Sequence, residues 1–498
     1  MSERRCVAVD LGAESGRIVV GTFDGHRLGT EIVHRFPNRP RMVDGHLRWD
    51  VAALWSEIVE GLSRAGAAEP VDSVGVDSWG IDFGYLDERG DLVADPVSHR
   101  DARTDGTLNV AAQMVGRERL YRDTGIQLMQ INAVFQLLAE SRAGGPPPAA
   151  RRLLMIPDLF HHLLSGSSVA EFTAISTTGA YDVAGRAWAT KLLDDLGIRT
   201  DLLPEVVDAG TDLGAVVPAL ATLPGLASTR VITPGSHDTA SAVAAVPFAD
   251  PYAGYISSGT WSLVGVELVH PVVNESSRKA NLTNEGGVAG TVRLLRNVMG
   301  LWVLQECRRQ WAREGRDIEY PALVALAAEA SAMGSIVDVD HPSFVHPGDM
   351  PARVRDYCRS TGQPVPSTVG EVARSVLEGL ALRYRAAFDS IAEVTGRPTT
   401  LVHIVGGGSR NDLLNQLTAD VTGLAVHAGP VEATAMGNLL VQLVALGELG
   451  GLDDVREVVR RSDSGRLVEP RDPSVWGEHY TRFRDLVASA TPVQDLVN

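Results

Sequence analysis

A short apolar strand that ends in an acid and a glycine sets the terms for this chain. Cys6-Val-Ala-Val-Asp10 is an apolar run closed by an aspartate, Leu11-Gly12-Ala13-Glu14-Ser15-Gly16-Arg17 is a turn of small residues, and Ile18-Val-Val-Gly-Thr-Phe23 is apolar again. Two β-prone runs hinged by glycine predict a buried hairpin. The pattern returns at Tyr255-Ile-Ser-Ser-Gly259-Thr260-Trp261-Ser262-Leu-Val-Gly-Val266. Further on, Leu401-Val-His-Ile-Val405 runs into Gly406-Gly407-Gly408-Ser409 and then a helical stretch. With one hairpin in each half, the expected fold is α/β, built from two lobes of related architecture. Glycine and serine turns let backbone N–H groups approach phosphate oxygens without interference from a Cβ. Such a layout suits a protein that grips a polyphosphate and a nucleoside between two lobes.

Length and charge narrow the function classes. At 498 residues the chain exceeds what one hydrophobic core usually supports, so two domains are expected. The net charge of −17 opposes binding to nucleic acid or to an anionic membrane, because both need clustered Lys and Arg. No apolar run reaches the length of a membrane span, and Met-Ser-Glu-Arg-Arg leads into a strand without the apolar stretch of a signal peptide. Cys6, Cys307 and Cys358 are far apart and form no CxxC, which predicts reduced, buried thiols and a cytoplasmic protein.

Along the chain, Asp72-Ser-Val-Gly-Val76 reads as a strand leading into Asp77-Ser78-Trp79-Gly80-Ile81-Asp82-Phe83-Gly84, followed by a hairpin from Tyr85-Leu86 to Leu92-Val93. Residues Gln127 to Ala143 look helical up to the break at Gly144-Gly145-Pro146-Pro147-Pro148. The clearest helix runs from about Glu371 to Val394, with Thr368 and Glu371 as a capping box and Gly396 as its stop. Val246-Pro247 to Asp250-Pro251 is the strongest boundary. The expected division is 1–245, then 250–450, then a helical extension over 451–498 that ends in a mobile tail.

Phosphoryl transfer rests on positioning and electrostatic stabilisation. Gly12, Ser15 and Gly16 can offer backbone donors, Arg17 adds a positive charge, and Glu14 must point outward if phosphate is to sit there. Asp10, at a strand end, can hold Mg²⁺ through water, since Mg²⁺ keeps most of its waters. In Pro234-Gly235-Ser236-His237-Asp238-Thr239-Ala240, an Asp beside a helix start can take a proton from a substrate hydroxyl; equally, Asp238 or Thr239 can simply cap that helix. There is no GxxxxGK[ST], no GxGxxG opening a helix after the first strand, and no protein-kinase signature set.

These segments together resemble the FGGY carbohydrate kinases: Val9 to Arg17, Asp77 to Phe83, Ser236 to Ala240, Ser257 to Ser262, Asn281 to Gly287, Asn297 to Trp302, His403 to Gly408 and Gly429 to Ala433. The resemblance runs from about residue 4 to 480. It implies two actin-like ATPase-type (ribonuclease H-like) domains, each a mixed sheet flanked by helices, with a cleft between them that closes on the ligands. It implies Mg²⁺-ATP and transfer of the γ-phosphoryl to O1 of a ketose, L-rhamnulose first, because His237 stands where many members have Gly. L-fuculose, L-xylulose and a non-catalytic, ATP-gated sugar-binding protein are the alternatives. By the same resemblance Asp238 is the proton acceptor, while Gly80, His237, Asp238, Thr239 and Asn297 line the sugar site. Ala13, Glu14, Ser15, Gly16, Arg17, Thr260, Gln305 and Gly407 contact ATP, with Asp10 at the metal through water. Gln305 is expected near the helix face of Asn297, and Trp79 and Trp302 as core filling rather than sugar platforms. The expected partners are sugar and ATP, without nucleic acid or membrane, for a monomer or small homo-oligomer.

Overall fold

Cys6 to Leu11 are all buried, as a strand covered on both faces must be, and they lie in the strand β1 (Arg4–Leu11). The computed structural model describes residues 3–489. Its contacts divide the chain into two units. The first holds the chain up to Pro247 with Glu267–Leu294 and Glu432–Ser464; the second holds Phe248–Val266, Leu295–Val431 and the chain from Gly465.

In the first unit, β1 pairs antiparallel with β2 (Ser15–Phe23), which pairs antiparallel with β3 (Leu28–Pro37). On its other side β1 runs parallel to β4 (Ser73–Ser78). With β5 (Asp212–Ala215) and β6 (Arg230–Ile232), the six-stranded order is β5-β6-β4-β1-β2-β3. The hairpin register sets Asp10 opposite Arg17, and the parallel register sets it beside Asp77.

Helices cover both faces of this sheet. Val51–Ala68 starts at Asp50, whose carboxylate accepts the Ala53 N–H, and lays Gly61 against Ile18. On the opposite face Ala433–Ala445 lays Leu439 against Gly21. Two large apolar clusters lie in the unit, one around Val7, Val9, Trp49 and Ile58, the other around Phe83, Phe135, Leu153 and Phe172.

The second unit repeats the plan. β7 (Gly254–Ser258) forms an antiparallel hairpin with β8 (Ser262–Leu268) and runs parallel to β9 (Val402–Val405). β9 runs parallel to β10 (Val426–Ala428), and β11 (Arg466–Val468) closes this edge antiparallel. In both sheets a hairpin strand thus borders a parallel strand, as expected of two related mixed-sheet lobes. The long helix spans Val369–Thr395, with the Thr368/Glu371 capping box formed and Gly396 in the left-handed region. The three cysteines are buried and free, and among the described residues no helix is long and apolar enough to cross a membrane.

Two sequence expectations fail locally. The helix expected from Gln127 begins only at Ala133: Asn132, in extended conformation, donates its side-chain amide to Gln127 O at 2.8 Å, while Leu128 N–H goes to Asn281. The expected hairpin at 85–93 survives as one bridge, Leu86 to Leu92, because the strand Phe83–Leu86 pairs chiefly with Arg152–Met155. Of the last segment, Leu452–Ser462 and Trp476–Ser489 are helical and flank β11; the expected mobile tail falls largely outside the described residues.

Gly437, in the helix Ala433–Ala445, lies so close to Ser241 O of the helix Asp238–Ala244 that a Cβ would overlap it. Gly437→Ala should therefore lose about 1–3 kcal/mol to overpacking, outweighing the roughly 1 kcal/mol that alanine gains in helix propensity. Denaturant unfolding of the two proteins measures the balance.

Candidate active site

The first hairpin is shaped by its glycines. Gly12 N–H donates to Ser15 O at 2.9 Å, and Asn38 braces the turn by donating its amide to Gly12 O at 2.8 Å and its backbone N–H to Glu14 O at 3.0 Å. Gly16 sits under the Phe36 ring, where a Cβ would collide. Ser15 is exposed, and Ala13 and Glu14 are half-buried. Arg17 turns inward: Nε and Nη2 reach Asp10 Oδ2 at 2.7 and 2.6 Å, and Nη1 reaches Glu432 at 2.6 Å. Its positive charge thus lies between two carboxylates.

Beside Asp10 stands Asp77, completely buried on β4. Asn438 donates to Asp77 Oδ2 at 2.6 Å, while Oδ1 has no hydrogen-bond partner. Gln442 supports Asn438 at 2.6 Å and also donates to Val7 O. Burial, then the negative charges of Asp10 and Asp238, push the Asp77 carboxyl well above the usual carboxylate range. His161, pushed down to about 3 by burial, is a neutral acceptor for Val76 N–H and holds β4 from behind.

Asp238 opens the helix Asp238–Ala244. The cap position is His237, without a side-chain cap bond, so the simple capping role weighed for Asp238 is not the one it plays. The Asp238 side chain is one-third exposed (34%), and desolvation followed by the charge of Asp10 raises its carboxyl to about 6. Thr239 Oγ1 donates to it at 3.1 Å.

The segment before Asp238 is held from below. Ser78 N–H donates to Ser236 O at 2.9 Å, joining it to β4. Glu171 Oε2 accepts Ser236 N–H at 3.1 Å and Thr173 Oγ1 at 2.5 Å, while Thr173 Oγ1 accepts His237 N–H at 3.1 Å. Burial raises the Glu171 carboxyl to about 8 against these donors. The His237 ring is flanked by Asp238 Oδ1 and Glu285 Oε2, each at 3.5 Å, and by Arg293 Nη2 at 3.1 Å.

Gly80 has Thr177 Oγ1 only 2.6 Å from where a Cβ would be, so only glycine fits. The next residue, Ile81, holds φ 72°, an expensive conformation for a β-branched residue. Asp82 clamps this turn: its Oδ2 accepts from Trp49 (2.7 Å), Trp79 (2.9 Å) and His99 (2.8 Å). Burial opposes the charge of Asp82, but His99 and the two indoles outweigh it and lower the pKa. Trp79 is thereby a packed and bonded core residue, as is Trp302, which donates to Phe344 O at 2.9 Å.

The first unit therefore gathers Asp10, the 13–17 turn, Gly80, His237, Asp238 and Thr239, joined by Asp77, Glu171, Glu285, Arg293, Glu432 and Asn438. Asp77, Glu285 and Glu432 lay inside segments noted in the sequence, but the burial of Asp77 and Glu285 and the pairing of Glu432 with Arg17 have no sequence signature. Glu171, Arg293 and Asn438 lay outside those segments.

In the second unit, Thr260 at the β7–β8 turn donates to Gln305 Oε1 at 3.3 Å. Thr260 O and Gly259 O accept from Trp302 and Leu301, so the turn holds the start of the helix Trp302–Arg313. Asn297 lies in the strand Val292–Val298, not on that helix, which corrects the shared face expected with Gln305; Gly300, crowded against Ser262, separates strand from helix. A Cβ on Gly407 would meet nothing within 4 Å, leaving open space above the turn, and Asn411 caps the following helix Asp412–Thr422.

Among the described residues no three His, Cys, Asp or Glu side chains are set to enclose a metal ion. A divalent cation that keeps most of its waters needs no such enclosure, and Asp10, near the end of β1, is the carboxylate that would face it through water.

The chain is similar to known carbohydrate kinases over most of its length. Residues 6–245 match the model "FGGY family of carbohydrate kinases, N-terminal domain" and residues 254–446 match the corresponding C-terminal domain. The chain is 39% identical over 482 residues to a rhamnulokinase of Bacteroides thetaiotaomicron, covering 96% of this chain and 99% of that one. It is 36% identical over 466 residues to a rhamnulokinase of Bacillus subtilis, covering 93% and 95%. Among solved structures, gluconate kinase from Lactobacillus acidophilus superposes with a TM-score of 0.80 at 15% identity, covering 98% of this chain and 99% of that one. Xylulose kinase from Rhodospirillum rubrum gives 0.74 at 20% identity, covering 97% and 98%; both likenesses show the fold.

The raised Asp77 carboxyl has a consequence for stability. A carboxyl whose folded pKa lies above its unfolded value of about 3.9 favours folding at low pH and loses that contribution as pH rises. Asp77→Asn should remove this loss, so the variant should gain stability over the parent at pH 8 and little or none at pH 4, read by chemical unfolding at both.

On these grounds, the chain belongs to the FGGY family of carbohydrate kinases.

Proposed function

We propose that this sugar kinase transfers the γ-phosphoryl group of Mg²⁺-ATP to O1 of L-rhamnulose, giving L-rhamnulose 1-phosphate and ADP. The observation that carries the reading is Asp238: a partly exposed carboxylate at a helix start, raised to about 6 by its surroundings and held on a fixed segment. A base of that pKa is ionised at neutral pH and still takes up a proton readily. The curated relatives named rhamnulokinase support the choice of sugar.

In this mechanism Asp238 accepts the O1 proton as O1 bonds to the γ-phosphorus and the bond to the β,γ-bridging oxygen breaks. Gly80, His237, Thr239 and Asn297 contact the sugar. Backbone groups of Ala13, Glu14, Ser15 and Gly16 face the phosphates, while Arg17 orients Asp10. Thr260, Gln305 and Gly407 take the nucleotide, with the open space over Gly407 leaving room for it. Asp10 would hold Mg²⁺ through water, and the ion would neutralise phosphate charge. The buried, free cysteines support a cytoplasmic location.

Coupled ADP release over L-rhamnulose, L-fuculose and L-xylulose tests the reading. L-Rhamnulose should give the highest kcat/KM, and Asp238→Asn should lower kcat by roughly 10²–10⁴-fold. Preference for another ketose would move the substrate assignment, and ATP binding without turnover on any sugar would make the chain a binding protein. For the wild type, kcat/KM should fall below a midpoint near pH 6, because protonated Asp238 cannot act as base. A flat profile from pH 5 to 8 would contradict that assignment.

A further inference from the structure

His237 has two competing neighbours at the same ring nitrogen. Arg293 Nη2 lies 3.1 Å from Nδ1, and Glu285 Oε2 lies 3.5 Å from it. The two want opposite states of that atom: a guanidinium can only donate, and a carboxylate can only accept. Arg293 is completely buried (0% exposed) and aimed by a 2.8 Å bond from its Nε to Gly286 O, while its Nη1 lies 3.3 Å from Glu285 Oε2. Glu285 is thus drawn to the guanidinium, and the shorter contact to the ring is the donor's.

We propose that Arg293 is a positioning residue that keeps the His237 Nδ1 lone pair occupied and so places the ring's single proton on Nε2. The proposal rests on the reading of the His237–Asp238 segment as the sugar site. Burial, followed by the charge of Arg293, holds His237 neutral by lowering its pKa well below the usual value. The Nε2–H then faces Asp238 Oδ1 at 3.5 Å, too long for a settled hydrogen bond. It is an N–H donor available to a sugar oxygen next to the base. The opposite tautomer would point a lone pair at the Asp238 carboxylate and offer the sugar only an acceptor. Ring orientation alone therefore does not define this contact; the buried arginine behind it does.

Nitrogen-15 NMR of protein labelled at histidine, recorded without sugar, reads the tautomer directly, with His237→Gln identifying the signals. The expected result at pH 7.5 is a protonated-type nitrogen at Nε2 and an unprotonated-type one at Nδ1. Arg293→Met should hand Nδ1 to Glu285 and reverse the pattern, Arg293→Lys should restore it, and the KM for the ketose should rise roughly tenfold in the methionine variant, the worth of one hydrogen bond. A wild type with its proton on Nδ1, or with both nitrogens protonated, overturns the proposal even if Arg293→Met does not fold. An unchanged tautomer in folded Arg293→Met overturns it as well. Because the spectra need no substrate, a wrong choice of sugar would show in the ketose panel and leave them unaffected.

Discussion

The crowding of carboxylates at the ends of β1 and β4 is the constraint around which the first unit is arranged. Parallel pairing of these strands sets Asp10 beside Asp77, and the bridge from Ser78 to His237 brings Asp238 to the same end. Three acids so placed repel one another, and burial removes the water that would screen them. Their surroundings answer the charge unevenly. Asp10 receives the guanidinium of Arg17, Asp77 receives one amide from Asn438, and Asp238 receives little beyond the Thr239 hydroxyl. Burial and this mutual repulsion raise the pKa values of Asp77 and Asp238. Asp238 is the one of these two that reaches solvent, and that combination is what a general base requires.

Holding such a cluster in place takes rigid support. The helix Ala433–Ala445 serves both Asp77 and Asp238: Asn438 and Gln442 bond to the sheet beneath Asp77, and Gly437 allows the helix that carries Asp238 to approach. Glu171 fixes the backbone before Asp238 from another direction, with Thr173 as intermediary. At Ile81 the chain bears backbone strain beside Gly80, and the Asp82 clamp on two indoles and a histidine maintains it. Strain, an unpartnered buried oxygen and crowded acids all cost stability, and they occur together at the place where function is proposed.

The sequence made the frame legible because the frame is written in local chemistry. Glycine-hinged apolar runs predicted both hairpins, and Thr368, Glu371 and Gly396 marked the long helix nearly to the residue. What was not legible came from contacts distant in sequence. The stretch from Gln127 has helical composition, yet Asn281 and Asn132 claim its backbone groups. Asn297 and Gln305 look like one helix face until Gly300 is seen to divide a strand from a helix. Asp10, Gly80, His237 and Asp238 sit in turns, where residue type and spacing speak. Glu171, Arg293 and Asn438 sit in ordinary-looking segments, and only burial against those turns gives them a role.

The dependence of Asp238 on its neighbour can be measured without substrate. Carbon-13 NMR of protein labelled at the aspartate carboxyl carbons, with Asp238 identified through Asp238→Asn, follows its titration in the wild type and in Asp10→Asn. A midpoint near 6 in the wild type that falls toward the ordinary aspartate value when the Asp10 charge is removed is the expected result. A midpoint near 4 in both proteins, or one near 6 that does not respond to Asp10→Asn, would contradict the view that carboxylate crowding prepares the base.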